Sequence, residues 1–218
     1  MFFKLILRNG KNIIYFPQKD KKVKIILLYK FPGASKEIFD LFKIYDWRVL
    51  QFAAENGIKD IKIGGNLDLY GSQIEKLPED LHVGGSLDLE GTPIKKLPEG
   101  LHVDGSLMLR WTQINELPGG LHVGGDLFLR GTQIKELPED LHIGGNLYLW
   151  GTQIEKLPEG LYVGGFLELR RTLIKELPKG LCVGGDLVIE GTPIKELHEG
   201  LHVGGFLDLR GTQIKELP

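Results

Sequence analysis

A chain of 218 residues, 42% of them hydrophobic, suits one large domain or two small ones with a buried core. Net charge is −2, but residues 1–60 hold 12 Lys/Arg against 6 Asp/Glu, so the remainder is net negative, which sets it against a nucleic-acid partner. The lone cysteine, Cys182, excludes an internal disulfide framework, and neither a signal peptide nor an apolar run of membrane length is present. The expectation is a soluble, cytoplasmic protein with no membrane contact, or one delivered without a cleaved signal peptide.

Residues 2–8, 11–16 and 23–29 read as three strands rich in Ile, Leu, Phe and Val. Asn9-Gly10 between the first two is a hairpin signal, because both residues tolerate positive φ. Lys19, Lys21, Lys22 and Lys24 around the second link read as a solvated turn that keeps edge strands from pairing. Ser35 is a candidate N-cap, and an apolar stripe of Ile38, Leu41, Phe42, Tyr45, Val49, Phe52 and Ala53 predicts a helix from Lys36 to about Glu55. Asp46 is a candidate break in it, and Asn56-Gly57 ends it. Residues 1–60 are thus expected to be an α+β cap, with Trp47 packed against the segment that begins at Ile61.

From Ile61 the chain repeats. Leu81-His-Val-Gly-Gly-Ser-Leu-Asp-Leu-Glu-Gly-Thr-Pro-Ile-Lys-Lys-Leu-Pro-Glu-Gly100 recurs from Leu101, Leu121, Leu141, Leu161, Leu181 and Leu201, with a divergent copy from Ile61. A fixed period of this length marks a solenoid, in which stacked neighbours complete a core that no single unit can bury. Residues 61–218 are therefore expected to form eight 20-residue coils. Leu81-x-Val83 and Leu87-x-Leu89 alternate as short strands, with Ile94 and Leu97 also directed inward. No stretch of the unit is long enough for a helix.

Copies within one chain separate backbone needs from side-chain needs. The column from Gly65 to Gly205 never varies, which points to positive φ or to close backbone approach. Its neighbour accepts Asp104. The Gly71 column accepts Trp111 and Arg171 and is read as free of glycine geometry. Thr92 and its equivalents are expected to form an inward hydroxyl ladder on the turn backbone. Asp80, Gly100, Gly120, Asp140, Gly160, Gly180 and Gly200 read as left-handed turn residues.

Leu87-x-Leu89-x-x-Thr92-x-Ile94-x-x-Leu97-Pro98 resembles the leucine-rich-repeat core LxLxxNxLxxLP. The length is similar to the short repeats of bacterial injected effectors, and Val-Gly-Gly-x-Leu resembles phage-encoded repeats of the same period. The resemblance covers residues 61–218, about 70% of the chain, and implies architecture only. Threonine replaces the asparagine of the family pattern. Leu81-x-Val83 replaces a second Leu-Pro, which predicts a second strand on the convex side. The expected fold is mainly β, a leucine-rich-repeat-like solenoid with the α+β cap; a β-helix of 20-residue coils is the alternative.

Copies differ most at the outward positions of the Leu-x-Leu strand. One column holds Asp68, Asp88, Met108, Phe128, Tyr148, Glu168, Val188 and Asp208, and the next runs from Tyr70 to Arg210. A third runs Asn66, Ser86, Ser106, Asp126, Asn146, Phe166, Asp186 and Phe206. In leucine-rich repeats the corresponding face is concave and binds partners, and the resemblance implies the same here. Met108, Arg110, Trp111, Phe128, Arg130, Tyr148, Trp150, Phe166 and Arg170 would form one patch of the residue types enriched at protein interfaces. Plain strand propensity and cross-strand stacking are the competing account of the aromatics.

His82, His102, His122, His142 and His202 form another column, continued by Tyr162 and Cys182. A linear row does not surround a metal, and no carboxylate column lies beside it, so no metal or other cofactor is expected. Catalysis finds no support: acidic residues fall in regular surface columns, and Gly-Gly is not followed by a phosphate-loop GK[ST]. The expected function is non-catalytic binding of a protein partner. The alternative is a structural component, of phage or virion type, that self-associates as a homodimer through the edge of the last coil.

Overall fold

The computed structural model describes residues 4–8, 11–17, 22–27 and 47–217, the first three segments by their backbone. The chain divides into two compact units, Met1–Lys43 and Ile44–Pro218. In the first unit, β1 (Lys4–Arg8), β2 (Lys11–Pro17) and β3 (Lys22–Leu27) form an antiparallel sheet in that order. Arg8 lies opposite Lys11, and Pro17 opposite Lys22. The three expected strands are present. The Asn9-Gly10 turn, Lys19 and Lys21 of the second link, and the helix start from Ser35 to Asp46 fall outside the described residues.

The second unit opens with α1 (Trp47–Glu55). Its C-terminus closes as Asn56-Gly57 predicts: Gly57 has a φ of 65°, and the Ile58 N–H donates to the Ala53 carbonyl at 2.9 Å. Leu50 and Ala53 are buried, and Trp47 is half-buried. Gln51 Oε1 accepts the backbone N–H groups of Glu75 at 2.8 Å and Lys76 at 3.1 Å. The helix therefore lays its apolar face on the first coil and also satisfies part of that coil's backbone. No described helix is long and apolar enough to cross a membrane.

Each of the eight coils contributes two short strands, as His82–Val83 and Leu87–Asp88 do in the second coil. The strands assemble into two parallel eight-stranded sheets in coil order, the first holding His82–Val83 and its equivalents and the second Leu87–Asp88 and its equivalents. Register is strict, residue on residue 20 positions away: His82 pairs with His102, and Leu87 with Leu107. The Leu81-x-Val83 segment thus contributes a strand, as the missing second Leu-Pro predicts. Only three residues, Gly84 to Ser86 in the second coil, separate it from the other strand. Backbone bonds join neighbouring coils in both sheets. Leu87 N–H donates forward to Ser106 O at 2.9 Å, whereas His102 N–H donates back to Leu81 O at 2.9 Å.

The six inward positions are the core. In the fourth coil Leu121, Val123, Leu127, Leu129, Ile134 and Leu137 are all buried, and their equivalents repeat the pattern. A fully buried aliphatic side chain contributes about 1.5–3 kcal/mol, so stability accumulates coil by coil. The threonine ladder forms as expected. Thr132 Oγ1 donates to the Leu129 carbonyl, which also accepts the Thr132 N–H at 3.1 Å. Each hydroxyl closes the turn of its own coil and draws no bond across coils. Ser72 takes this place in the first coil, with its buried Oγ unpaired.

The invariant glycines answer to close approach, not to positive φ. A Cβ on Gly125 would lie 2.8 Å from Ser106 Oγ and 2.9 Å from Gly105 C, both in the preceding coil. At Gly65, in the first coil, it would meet nothing within 4 Å among the described residues. The Gly71 column corrects the sequence reading. Its glycines have φ of 60–76°, and Trp111 and Arg171 adopt 60° and 56° at the same place. The position is left-handed in both kinds of coil, and the two side chains bear a steric cost of about 1–2 kcal/mol each. Asp80, Gly100, Gly120, Gly160, Gly180 and Gly200 are left-handed as expected; Asp140 is not among the positive-φ residues.

Gly125→Ala is expected to destabilise the protein by about 1–3 kcal/mol, the range for forcing atoms into a packed contact. Gly65→Ala should stay within about 0.5 kcal/mol of wild type. Urea midpoints of the two variants check both; equal losses would refute close approach as the cause.

Candidate partner-binding face

The second sheet turns alternate side chains outward, and strict register stacks them into files. In the first file Phe128 and Tyr148 are register neighbours, and Arg110 and Phe166 reach in from the adjacent columns. The Arg110 guanidinium lies 4.4 Å from the Phe128 ring centre, Phe128 and Tyr148 stack at 4.6 Å and 4°, and Phe166 tilts against Tyr148 at 5.6 Å. Met108 is the register neighbour of Phe128 on the other side. In the second file Arg130 lies 5.2 Å from the Trp111 ring centre and 3.8 Å from that of Trp150, whose ring also carries Arg170 at 5.7 Å. All nine residues expected from sequence thus fall on one face across the third to sixth coils.

Most of them are half-buried against one another, and Trp111 stands out at 60% exposed. Its left-handed backbone lays the indole on Gly131, where an added Cβ would lie 2.5 Å from the ring. Glycine at 131 therefore makes room for tryptophan at 111. Charges along the arginine file are partly compensated. Arg110 Nε pairs with Glu90 Oε1 at 3.0 Å, and Arg170 binds the carboxylate of Glu168, which is 5% exposed. Arg130 makes no ion pair among the described residues. Burial, with a smaller push from Asp88, raises the Glu90 carboxyl above its ordinary range against the pull of Arg110. Burial likewise raises the Tyr148 phenol, which keeps it neutral.

The third outward column is largely structural. Ser86 and Ser106 Oγ each accept the N–H of the next coil's equivalent residue at 3.0 Å. Asp126 and Asn146 Oδ1 do the same at 2.8 and 2.7 Å. This is a rung-to-rung ladder of short polar side chains, and Phe166 and Phe206 have no such acceptor to offer. Sequence reasoning missed this ladder because Asn, Ser and Asp look like surface variation until register aligns each with the next N–H. It also missed the burial of Glu168, whose column is otherwise outward.

The histidine column forms a row in the first sheet. His102 and His122 stack at 4.2 Å and 11°, whereas His82 and His102 are tilted by 50° at 4.6 Å. The tilt accompanies a group that sequence columns did not reveal. Asp104 Oδ2 lies 3.1 Å from His82 Nε2, and its Oδ1 lies 2.9 Å from His102 Nε2. Those hydrogen bonds, with His82 the larger contributor, hold the Asp104 carboxyl below the ordinary range. Further along, His142 Nδ1 is held 2.8 Å from the Asp140 carbonyl.

His122 is depressed below its ordinary value of 6.5, chiefly by burial and then by His102 and His142; Asp104 opposes this weakly and His82 adds to it. Unfolded His122 therefore binds its proton at higher pH than the folded residue does. Stability from this group is unchanged above 6.5 and falls as pH drops from there through the folded value. The expected result, in chelator-treated buffer, is a lower melting temperature at about pH 5 than at about pH 8, with the difference reduced in His122→Gln. Equal melting temperatures in the wild type would refute it.

Comparison with protein-family models, with curated proteins and with solved structures finds no match for this chain.

Proposed function

We propose that this protein is a non-catalytic recognition module of leucine-rich-repeat type that binds a protein partner through the outer face of its second sheet. The observation that carries this reading is the pair of stacked files on that face. Rings and guanidinium groups are held in fixed positions by a parallel sheet, so little side-chain freedom remains to be lost on binding. Aromatic, Met and Arg side chains clustered in this way are the usual anchors of protein interfaces. The arginines cover ring faces and leave edges and Trp111 open, which favours a partner offering both apolar surface and carboxylates or carbonyls.

The test combines Phe128→Ala, Arg130→Ala and Trp150→Ala in one variant. Side-by-side affinity capture should recover one protein reproducibly with wild type and lose it with the triple variant. Each truncated anchor is expected to cost about 2 kcal/mol of binding, while the far-ultraviolet circular dichroism spectrum is retained. A partner captured equally by both proteins would place recognition elsewhere.

A further inference from the structure

We propose that His82, His102 and Asp104 form a binding site for a divalent transition-metal ion, most naturally zinc. The site lies on the first sheet, shares no residue with the aromatic files, and does not rest on the partner-binding reading.

The two imidazoles are brought together by parallel register, His82 on His102, so their backbone spacing is set by the sheet. Asp104 comes two residues after His102, and its own N–H is anchored to the Val83 carbonyl at 2.9 Å. One nitrogen from each ring and one carboxylate oxygen lie within 4.8 Å of one another. Zinc binds such ligands at about 2.0–2.2 Å in tetrahedral geometry, which separates neighbouring ligand atoms by about 3.3 Å. His82 Nε2 lies 3.1 Å from Asp104 Oδ2 and His102 Nε2 lies 2.9 Å from Oδ1, so each imidazole already stands near that edge length from one oxygen of the same carboxylate. Two imidazoles with a carboxylate are a donor set that suits zinc better than magnesium or calcium, which prefer oxygen alone.

All three side chains are half-buried or exposed, so an ion has an open route in and keeps a position facing solvent. Coordination through Nε2 leaves the proton of each neutral imidazole on Nδ1. The rest of the row lacks the third ligand. Gly124, Gly144, Gly164, Gly184 and Gly204 stand where Asp104 does, and His142 uses its Nδ1 on a backbone carbonyl. The tilt of His82 away from the stacked arrangement of His102 and His122 is what turns its Nε2 toward the carboxylate.

The test uses the untagged full chain, stripped with chelator and titrated with zinc chloride by calorimetry, with the metal content measured after dialysis. The wild type should bind one equivalent with micromolar affinity and gain thermal stability. Asp104→Gly restores the residue that the neighbouring coils carry, so folding is retained; because it removes a ligand, its affinity should fall by more than the roughly tenfold that disturbing a zinc site's supporting groups alone produces. His82→Gln provides a second disrupted site, since the column already accepts Tyr162 and Cys182. His142→Gln should bind as wild type does. Absence of saturable binding in the wild type would overturn the proposal. Undiminished binding by both Asp104→Gly and His82→Gln would do the same and would assign the metal to the rest of the row.

Discussion

Backbone hydrogen bonding between coils is the constraint on which this structure depends. A coil of 20 residues without a helix cannot satisfy its own N–H and C=O groups, so the next coil must supply partners at about 4.8 Å spacing. Parallel pairing over two short strands then imposes identical register on all coils. Leucine falls on leucine, threonine on threonine and histidine on histidine. The buried aliphatic stack, the invariant glycines and the surface files are consequences of that single repeat distance.

The same register couples every outward side chain to its neighbours along a file, for good or ill. Like charges in one file would repel, and the fold offsets this by setting Arg110 beside Glu90 and placing Glu190 between Arg170 and Arg210. Aromatic rings gain from the arrangement, because a 4.6 Å separation is near the ideal for stacking. Trp150 between two arginines shows how a file can hold cationic groups together: the indole lies between like charges that would otherwise oppose each other.

Departures from the repeat are where chemistry becomes local. Trp111 and Arg171 keep the left-handed turn that glycine provides elsewhere, and Trp111 is the most exposed member of the aromatic face. Strain carried by a surface-exposed aromatic is the kind of feature that functional sites retain. Asp104 replaces a glycine in one coil and thereby converts two histidines of a uniform row into a three-residue cluster. Phe166 interrupts the polar ladder of its column and extends the aromatic file instead. None of these substitutions alters the path of the chain, so the scaffold tolerates specialised coils beside ordinary ones.

The sequence alone determined the period, the number of coils, the six inward positions and the face on which variable residues gather. Repetition is the reason, because every copy reports the same backbone and any residue that recurs must serve it. The closing turn of α1 at Gly57 was equally legible, since it depends on local φ. Contacts between coils were decided by the tertiary structure. A glycine required by the coil before it looks in sequence like a glycine required by its own φ, and the Gly65 and Gly71 columns differ in that respect only once coils are stacked. The Asx and serine ladder, the buried Glu168 and the meeting of Asp104 with His82 likewise join residues about 20 positions apart, or depend on which way a side chain turns. Sequence spacing carries the period of such contacts; only packing carries their direction.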